Sequence, residues 1–139
     1  MTASPAQILQ TLLANPLDLE KVRSLTTPDV TYVSLSEDNP ELKRFMPWTG
    51  THKGPESMVE VMRGVGKAWE TKAFVVRDVL EQGDSVAMFG SFTYRGRESG
   101  KEITSLFSIL AKVKDGRVHY IQFMEDTFGT SGTVGRPRT

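Results

Sequence analysis

Four side chains of this sequence stand out as candidates to move a proton or to orient the molecule that gives it up. Glu125 and Asp126 are adjacent at the end of the last predicted strand, Tyr32 lies in the first, and His52 lies in a long loop. A carboxylate takes a proton from carbon, and an imidazole shuttles one near neutral pH. A tyrosine hydroxyl donates a hydrogen bond to a carbonyl or epoxide oxygen. The residue types therefore favour acid–base chemistry.

Strand alternation separates the two neighbouring carboxylates. In a regular strand, Asp126 lies on the same face as Tyr120, Gln122 and Met124, and Glu125 points the other way. A β-bulge in this strand would exchange the two faces. We take Asp126 as the candidate acid or base and place Glu125 in solvent or at a subunit interface.

Each candidate also has a purely structural interpretation. Asp126 can be an exposed strand-end carboxylate or a cap for neighbouring backbone, and Tyr32 can be a core tyrosine with a satisfied hydroxyl. His52 can face solvent from its loop. His119 shares its alternation with Ile121, and we interpret it as interfacial.

Composition excludes several functional classes. The 139 residues contain no cysteine and two histidines, which excludes disulfides, thiolate catalysis and cysteine-based metal sites and disfavours a histidine-rich one. Lys and Arg total 17 and Asp and Glu total 17, so the zero net charge lacks the footprint of a nucleic-acid binder. No apolar run approaches the ~20 residues of a membrane span. We expect no metal, no cofactor, no nucleic-acid partner and no membrane partner.

Helix signals dominate the first half of the chain. A capping box at Ser4 with proline at the next position opens one helix, and Asn15-Pro16 ends it. Asp18 caps a second short helix. Gly54-Pro55 opens a third, in which apolar residues recur at helical spacing.

The irregular stretch 36–54 contains an aromatic cluster after its charged part. Loops this long in a compact domain are usually functional or disordered, and the cluster argues for order. Large apolar side chains here, in the third helix and on the strands are candidates to line a pocket, with Gln122 as a polar member. Those candidates are Phe45, Trp48, Met62, Trp69, Met88, Phe92, Gln122 and Met124.

The second half of the chain predicts four consecutive strands joined by short glycine-containing turns. The predicted strands cover 72–80, 85–94, 103–112 and 118–128, and a fifth covers 30–35 near the N-terminus. Helices followed by an antiparallel meander indicate an α+β fold. The last two strands are apolar on both faces, which predicts a second cover for the sheet, most simply another copy of the chain.

One domain is expected over residues 1–128, followed by a flexible tail over 129–139 rich in Gly, Ser and Thr. The N-terminus has no basic region ahead of an apolar one, so we expect a cytoplasmic protein.

An ordered set of landmarks resembles the NTF2-like superfamily, and in detail its SnoaL-like branch, which includes relatives of ketosteroid isomerase. The resemblance covers about residues 4–130 and depends on the order of the landmarks. They are TPDVTY at 27–32, WTGTHKGPE at 48–56, QGDSV at 82–86, SGK at 99–101, KDGRV at 114–118 and FMEDT at 123–127.

The resemblance implies a cone, in which a strongly curved antiparallel sheet wraps around three N-terminal helices and leaves an apolar cavity. It also implies a homodimer through the outer sheet face. In polyketide cyclases of the SnoaL type, the aspartate matching Asp126 is the acid or base. The base position of ketosteroid isomerase falls at Ser34, and a hydroxyl cannot take a proton from carbon, so isomerase activity of that kind is not expected.

The combined expectation is a protein that binds a small, apolar, oxygen-bearing molecule in the cone. If it is an enzyme, the chemistry is cofactor-free isomerisation, cyclisation or dehydration, with Asp126 as acid or base and Tyr32 or His52 orienting the substrate oxygen. The alternative is a non-catalytic binding or dimerisation module, because the isomerase constellation is missing.

Overall fold

The computed structural model describes residues 3–135 of the chain. Five helices are present in that range: α1 (Pro5–Ala14), α2 (Leu19–Leu25), α3 (Pro40–Lys43), α4 (Pro55–Ala68) and α5 (Thr127–Ser131). Six strands form one sheet: β1 (Thr26–Ser34), β2 (Gly50–Lys53), β3 (Trp69–Gln82), β4 (Ser85–Gly96), β5 (Glu102–Lys114) and β6 (Arg117–Glu125). The predicted α+β class is confirmed.

The sheet is curved and does not close, and its strand order is β2-β1-β6-β5-β4-β3. Strands β3 to β6 form the predicted antiparallel meander. Strand β1 runs parallel to β6, so the sheet is mixed and not purely antiparallel. The chain reaches β6 from β1 through α3, β2, α4 and strands β3 to β5. Parallel neighbours need such a long connection, because a short turn joins only antiparallel strands.

Local signals set the helix boundaries as predicted. Ser4 and Gln7 form the capping box of α1, with the Ser4 hydroxyl accepting from the Gln7 amide at 3.2 Å and the Gln7 side chain accepting from the Ser4 amide at 2.8 Å. The Ala6 amide in the first turn of α1 donates to Glu81 Oε1 of β3 at 3.0 Å. This bond ties the start of the helix layer to the edge strand of the sheet.

The stretch 36–54 is more ordered than an irregular loop. It contains α3, whose first turn is capped by the Asn39 side chain, and β2, which pairs with β1. Met46 and Thr49 within it are buried in the core. The segment therefore forms one wall of the molecule.

The segment after β6 differs in part from the predicted tail. Residues 127–131 form α5, and the side chains of Thr130, Ser131 and Thr133 are buried. Their hydroxyls bond to backbone carbonyls within the turn, which allows a polar sequence to pack against the sheet. The last four positions of the predicted tail lie outside the described residues.

Within residues 3–135, every helix falls short of the length and hydropathy that a bilayer-spanning helix requires. Over the same residues, no three His, Asp or Glu side chains come together in a way that would ligate a metal ion.

The backbone of strand β3 lies very close to Gly90 of the neighbouring strand β4. A Cβ atom at position 90 would overlap the Val75 carbonyl oxygen and lie 2.8 Å from the Phe107 ring. Only glycine fits at position 90, because the atoms that a Cβ would meet belong to the β3 backbone and to the buried Phe107 ring, which have no room to move.

We predict that Gly90→Ala lowers the free energy of unfolding by about 2 kcal/mol or more, as forced overpacking does. Urea unfolding measures the change. Gly66→Ala is the matched control, because a Cβ at position 66 in α4 meets nothing within 4 Å. That control should raise stability by up to about 1 kcal/mol through helix propensity. Equal changes in the free energy of unfolding for the two variants would contradict the close contact at Gly90.

Candidate functional site

A cavity of about 200 Å³ lies between the concave face of the sheet and helices α1, α2 and α4. The helices contribute aliphatic and thioether side chains, including Leu12, Met58, Met62 and Val65. Aromatic side chains come from the sheet and from the segment before β2: Tyr32, Trp48, Trp69, Phe74, Tyr94 and Phe123. The site is thus an apolar chamber with aromatic walls.

The cavity opens beside strand β3. Thr71 and Phe74 line it from that strand, and both are exposed, with 42% of Phe74 accessible. Tyr32 and Ser34 of β1 and Leu35 directly after it also line the cavity, and all three are buried.

Glu125 is the only carboxylate among the described residues that line this cavity. It pairs with buried Phe107 of β5 and lies on the same face as Phe123. Its Oε2 atom is buried and has no hydrogen-bond partner. Burial raises the pKa of the Glu125 carboxyl to about 7, with the nearby charge of Asp126 adding to the rise and the Thr130 hydroxyl opposing it.

Two tyrosine hydroxyls share the cavity with Glu125. Burial raises the pKa of Tyr32, the charge of Glu125 adds to the rise, and a hydrogen bond with Ser34 opposes it. Burial and then the same Glu125 charge raise the pKa of Tyr94. Both hydroxyls therefore stay protonated at neutral pH and are available as hydrogen-bond donors.

The indole of Trp69 is fixed by a buried hydrogen bond. Its Nε1 donates to Thr133 Oγ1 at 2.7 Å, and that hydroxyl donates to the Thr130 carbonyl at 2.7 Å. Trp69 stacks on Tyr94 with ring centroids 5.1 Å apart. It meets Trp48 edge to face at 5.3 Å. The turn after β6 thus holds one aromatic wall in place.

Trp48 packs over a glycine of α4. A Cβ at Gly64 would lie 3.1 Å from a ring carbon of Trp48, so a larger residue there would push the indole. This close approach explains a glycine inside a helix, where it costs about 1 kcal/mol relative to alanine.

The structure places Asp126 outside the cavity, so the prediction that this carboxylate faces inward is wrong. Asp126 is exposed and is the N-cap of α5, where its side chain accepts from the Gly129 amide at 3.1 Å. The physical reason is a β-bulge at His119. Lys112 pairs with Tyr120 but the next residue of β5, Val113, pairs with Val118, which leaves His119 as the extra residue.

The bulge exchanges the faces of β6 beyond it. Val118 is buried, and after the bulge Ile121, Phe123 and Glu125 face inward. Gln122 and Met124 consequently lie on the outer face, where the Tyr120 hydroxyl donates to Gln122 at 2.7 Å and 38% of Met124 is exposed.

The other predicted site residues divide between the cavity and the core. Tyr32, Trp48, Met62 and Trp69 line the cavity as predicted. Met88 and Phe92 are fully buried in the core, and Phe45 packs against that core, so none of the three lines the cavity.

His52 lies in β2 and faces a separate surface pocket with Glu56 and Glu60. Its Nε2 is 2.6 Å from the Trp48 carbonyl oxygen, which makes that nitrogen a donor. The structure does not bring His52 into the cavity with Tyr32. Its contact holds the backbone of a cavity residue.

Sequence reasoning missed Tyr94 and Phe74 as lining residues and Glu125 as the inward carboxylate. The sequence contained one signal of the bulge. Val118 and Ile121 are both strongly apolar, but their odd spacing puts them on opposite faces of a regular strand, so both can face inward only if the strand has an extra residue between them. Thr71 and Tyr94 are paired across β3 and β4, and this pairing brings Tyr94 to the cavity.

The chain is similar in sequence to known proteins. The family model of the SnoaL-like domain matches residues 11–121. Patulin synthesis protein F of Aspergillus clavatus is 40% identical over 121 residues, or 85% of this chain. Patulin biosynthesis cluster protein F of Penicillium expansum is 36% identical over the same length. The chain spans 61% of the length of each of these relatives.

Solved structures show the same fold. An NTF2-like protein from Burkholderia xenovorans superposes with a TM-score of 0.81 at 18% identity, covering 97% of this chain and 98% of that one. TerC, co-crystallised with polyporic acid, superposes with a TM-score of 0.76 at 22% identity, covering 95% and 98%.

The raised pKa of Glu125 makes stability depend on pH. Folding raises this pKa from 4.5 to about 7, so between these values the unfolded chain releases a proton that the folded chain keeps. Raising the pH through this window therefore favours unfolding. We predict that the Glu125 contribution costs roughly 3 kcal/mol of stability between pH 5 and pH 8.

Urea unfolding at pH 5 and at pH 8 gives, for the wild type and for Glu125→Gln, the change in the free energy of unfolding between the two pH values. The difference between these two changes is the contribution of Glu125. Asp126→Asn is the matched control, because residue 126 is exposed and an asparagine keeps the cap. The control should change this pH dependence only slightly, because the Asp126 charge is the smallest contribution to the raised pKa of Glu125. If the free energy of unfolding of Glu125→Gln changed between pH 5 and pH 8 as much as that of the wild type, the assignment of the raised pKa to Glu125 would be refuted.

Proposed function

The chain belongs to the SnoaL-like domain family, and from this premise we propose that it binds a small, largely apolar, oxygen-bearing molecule in the cavity and moves a proton on it with Glu125. One observation carries the proposal. Glu125 is the one carboxylate among the described residues that line the apolar cavity, and its Oε2 atom is buried without a hydrogen-bond partner. A buried polar atom without a partner costs free energy that a ligand hydrogen would recover.

The chemistry proposed is proton transfer beside a carbonyl. An ionised Glu125 takes a proton from the carbon next to the carbonyl, and the electron pair of the C–H bond moves to the carbonyl oxygen as an enolate. The hydroxyl of Tyr32 or Tyr94 donates a hydrogen bond to that oxygen. Return of the proton from Glu125 to another carbon isomerises the substrate. Attack of the enolate carbon on a second carbonyl of the substrate, whose oxygen then takes the proton from Glu125, gives cyclisation. Cleavage of the C–O bond to a β-hydroxyl, which takes the proton from Glu125 and leaves as water, gives dehydration.

The environment of Glu125 suits this role. An acid or base works best with a pKa near the working pH, and such groups contribute typically 10²–10⁴-fold to rate. Burial moves the Glu125 pKa to about 7. The aromatic and aliphatic walls exclude water, which strengthens the hydrogen bond from a tyrosine to a developing enolate.

The relatives support a biosynthetic role. The two curated relatives carry the name of patulin synthesis, and we propose that this chain likewise acts on a small molecule of a biosynthetic pathway. TerC was crystallised with polyporic acid, which supports ligand binding by this fold. Because the chain spans 61% of each relative's length, the proposal concerns this domain.

The test uses hydrogen–deuterium exchange at the carbon next to a carbonyl, since this reports the proposed step without the natural substrate. We predict that the wild type accelerates exchange of cyclohex-2-enone in deuterium oxide above the buffer rate, as measured by proton NMR. The acceleration should rise from pH 6 to pH 8 as Glu125 ionises.

Two variants separate the carboxylates in this assay. Glu125→Gln should exchange at the buffer rate, and Asp126→Asn should match the wild type. Full exchange by Glu125→Gln would reject Glu125 as the base. Wild-type exchange at the buffer rate, together with ligand binding, would favour the non-catalytic binding module.

We also propose that the chain forms a homodimer through its outer sheet face. Exposed apolar side chains cluster there: Val75, Leu80, Phe89, Leu106 and Met124. Cross-strand pairing makes the cluster continuous, because Ser91 pairs with both Val75 and Leu106 and Ser108 pairs with both Phe89 and Met124. Such a patch on a sheet indicates a protein interface.

Leu106 is 70% exposed, so its substitution can leave the fold intact while adding a charge to the patch. We predict that Leu106→Glu weakens the dimer at least tenfold by sedimentation velocity, because burying a leucine contributes about 2 kcal/mol. Leu17→Glu is the control, since Leu17 is 55% exposed between α1 and α2, away from the sheet. A Leu106→Glu dimer as tight as the wild type would exclude this face.

A further inference from the structure

We infer that the cavity selects an uncharged, single-ring, unsaturated molecule that carries both a hydroxyl and an oxygen acceptor. The inference deepens the proposed function and depends on it, because it concerns the ligand of the same cavity. Four properties of the site lead to it: its size, its charge, its hydrogen-bonding groups and its aromatic walls.

Size limits the ligand to about one ring. The cavity measures about 200 Å³. An apolar cavity of about 150 Å³ holds benzene, whereas pockets for drug-sized ligands measure about 300–1,000 Å³. One six-membered ring with a few small substituents fits the space, and a polycyclic molecule does not.

Charge excludes an anion. Among the described residues that line the cavity there is one carboxylate and no Lys, Arg or His. A carboxylate or phosphate bound there would lie near Glu125 without a countercharge, and an unpaired buried charge is strongly unfavourable. The ligand class therefore excludes acids and phosphorylated compounds.

The hydroxyl groups of the site disfavour a cation. An organic ammonium would pair with Glu125 and with the aromatic rings, but it has only donors. Tyr32 and Tyr94 line the cavity and keep their protons, so their hydroxyls can donate to an oxygen acceptor in the ligand. Glu125 Oε2, which has no partner, needs a donor when it is ionised. A neutral molecule with a hydroxyl and a carbonyl or ether oxygen satisfies both requirements.

The walls favour a flat, unsaturated ring. Trp69 stacks with Tyr94 and meets Trp48 edge to face, so ring faces and ring edges are both presented around the cavity. Aromatic pairs in these arrangements gain attraction beyond the area that they bury.

The test compares three single-ring probes of nearly the same shape at pH 8: benzyl alcohol, benzylamine as its cation, and benzoate. Biphenyl-4-methanol adds a ring to the first. Binding is measured by saturation-transfer NMR and by quenching of tryptophan fluorescence. We expect benzyl alcohol to bind at least tenfold more tightly than each of the other three.

Glu125→Gln removes the charge with little change of shape. In this variant the preference for benzyl alcohol over benzoate should fall by about threefold or more, because the repulsion from Glu125 is removed while the cavity still lacks a countercharge, whereas Asp126→Asn should keep the wild-type preference. This loss of charge selectivity distinguishes the role of Glu125 from a general effect on folding.

Each other outcome overturns the inference. Benzylamine as the tightest ligand would make the cavity a cation site, and benzoate binding equal to benzyl alcohol would remove the charge argument. Tighter binding of biphenyl-4-methanol would reject the size limit, and failure of all four probes would reject the ligand class. The exchange assay with cyclohex-2-enone decides the proposed proton transfer separately.

Discussion

The extra residue in β6 determines the character of the cavity. Without the bulge at His119, the inward positions after Val118 would be those of Tyr120, Gln122 and Met124, and the concave face would lose both Phe123 and Glu125. With it, two apolar residues and then one carboxyl follow the inner face to the end of the strand. A single backbone irregularity thus converts a plain core strand into one that ends in an acid.

Desolvation of that acid connects packing with chemistry. The aromatic walls that remove water from Glu125 also raise its pKa and keep two tyrosines neutral beside it. The same walls depend on polar contacts outside the cavity: Thr133 holds Trp69, and His52 holds the backbone of Trp48. Residues outside the cavity therefore set its shape, and the buried carboxyl of Glu125 lowers the stability of the fold as the pH rises.

Most of the fold was predictable because its signals are local. The capping box at Ser4, the break at Asn15-Pro16 and the glycine turns specify helices and hairpins within a few residues of sequence. The same reasoning identified Trp48 and Trp69 as lining residues. It misassigned the two carboxylates because β6 is apolar on both faces, so alternation alone could not locate a bulge. Burial of Thr130 and Thr133 was also invisible, since it depends on long-range contacts with Trp69 and Ser99.

The parallel pairing of β1 with β6 has a consequence for how the protein is made. Thr31 to Ser34 align with Tyr120 to Phe123, so the cavity is assembled from segments that lie far apart in the sequence. Closing a loop of this length is an entropic cost that must be met before the pairing gives any return. A ribosome that has translated only the helices and the first hairpin of the meander therefore exposes an incomplete chamber. The acidic group and its tyrosine neighbours meet only after the ribosome has translated β6, so the cavity stays incomplete until that strand has been made.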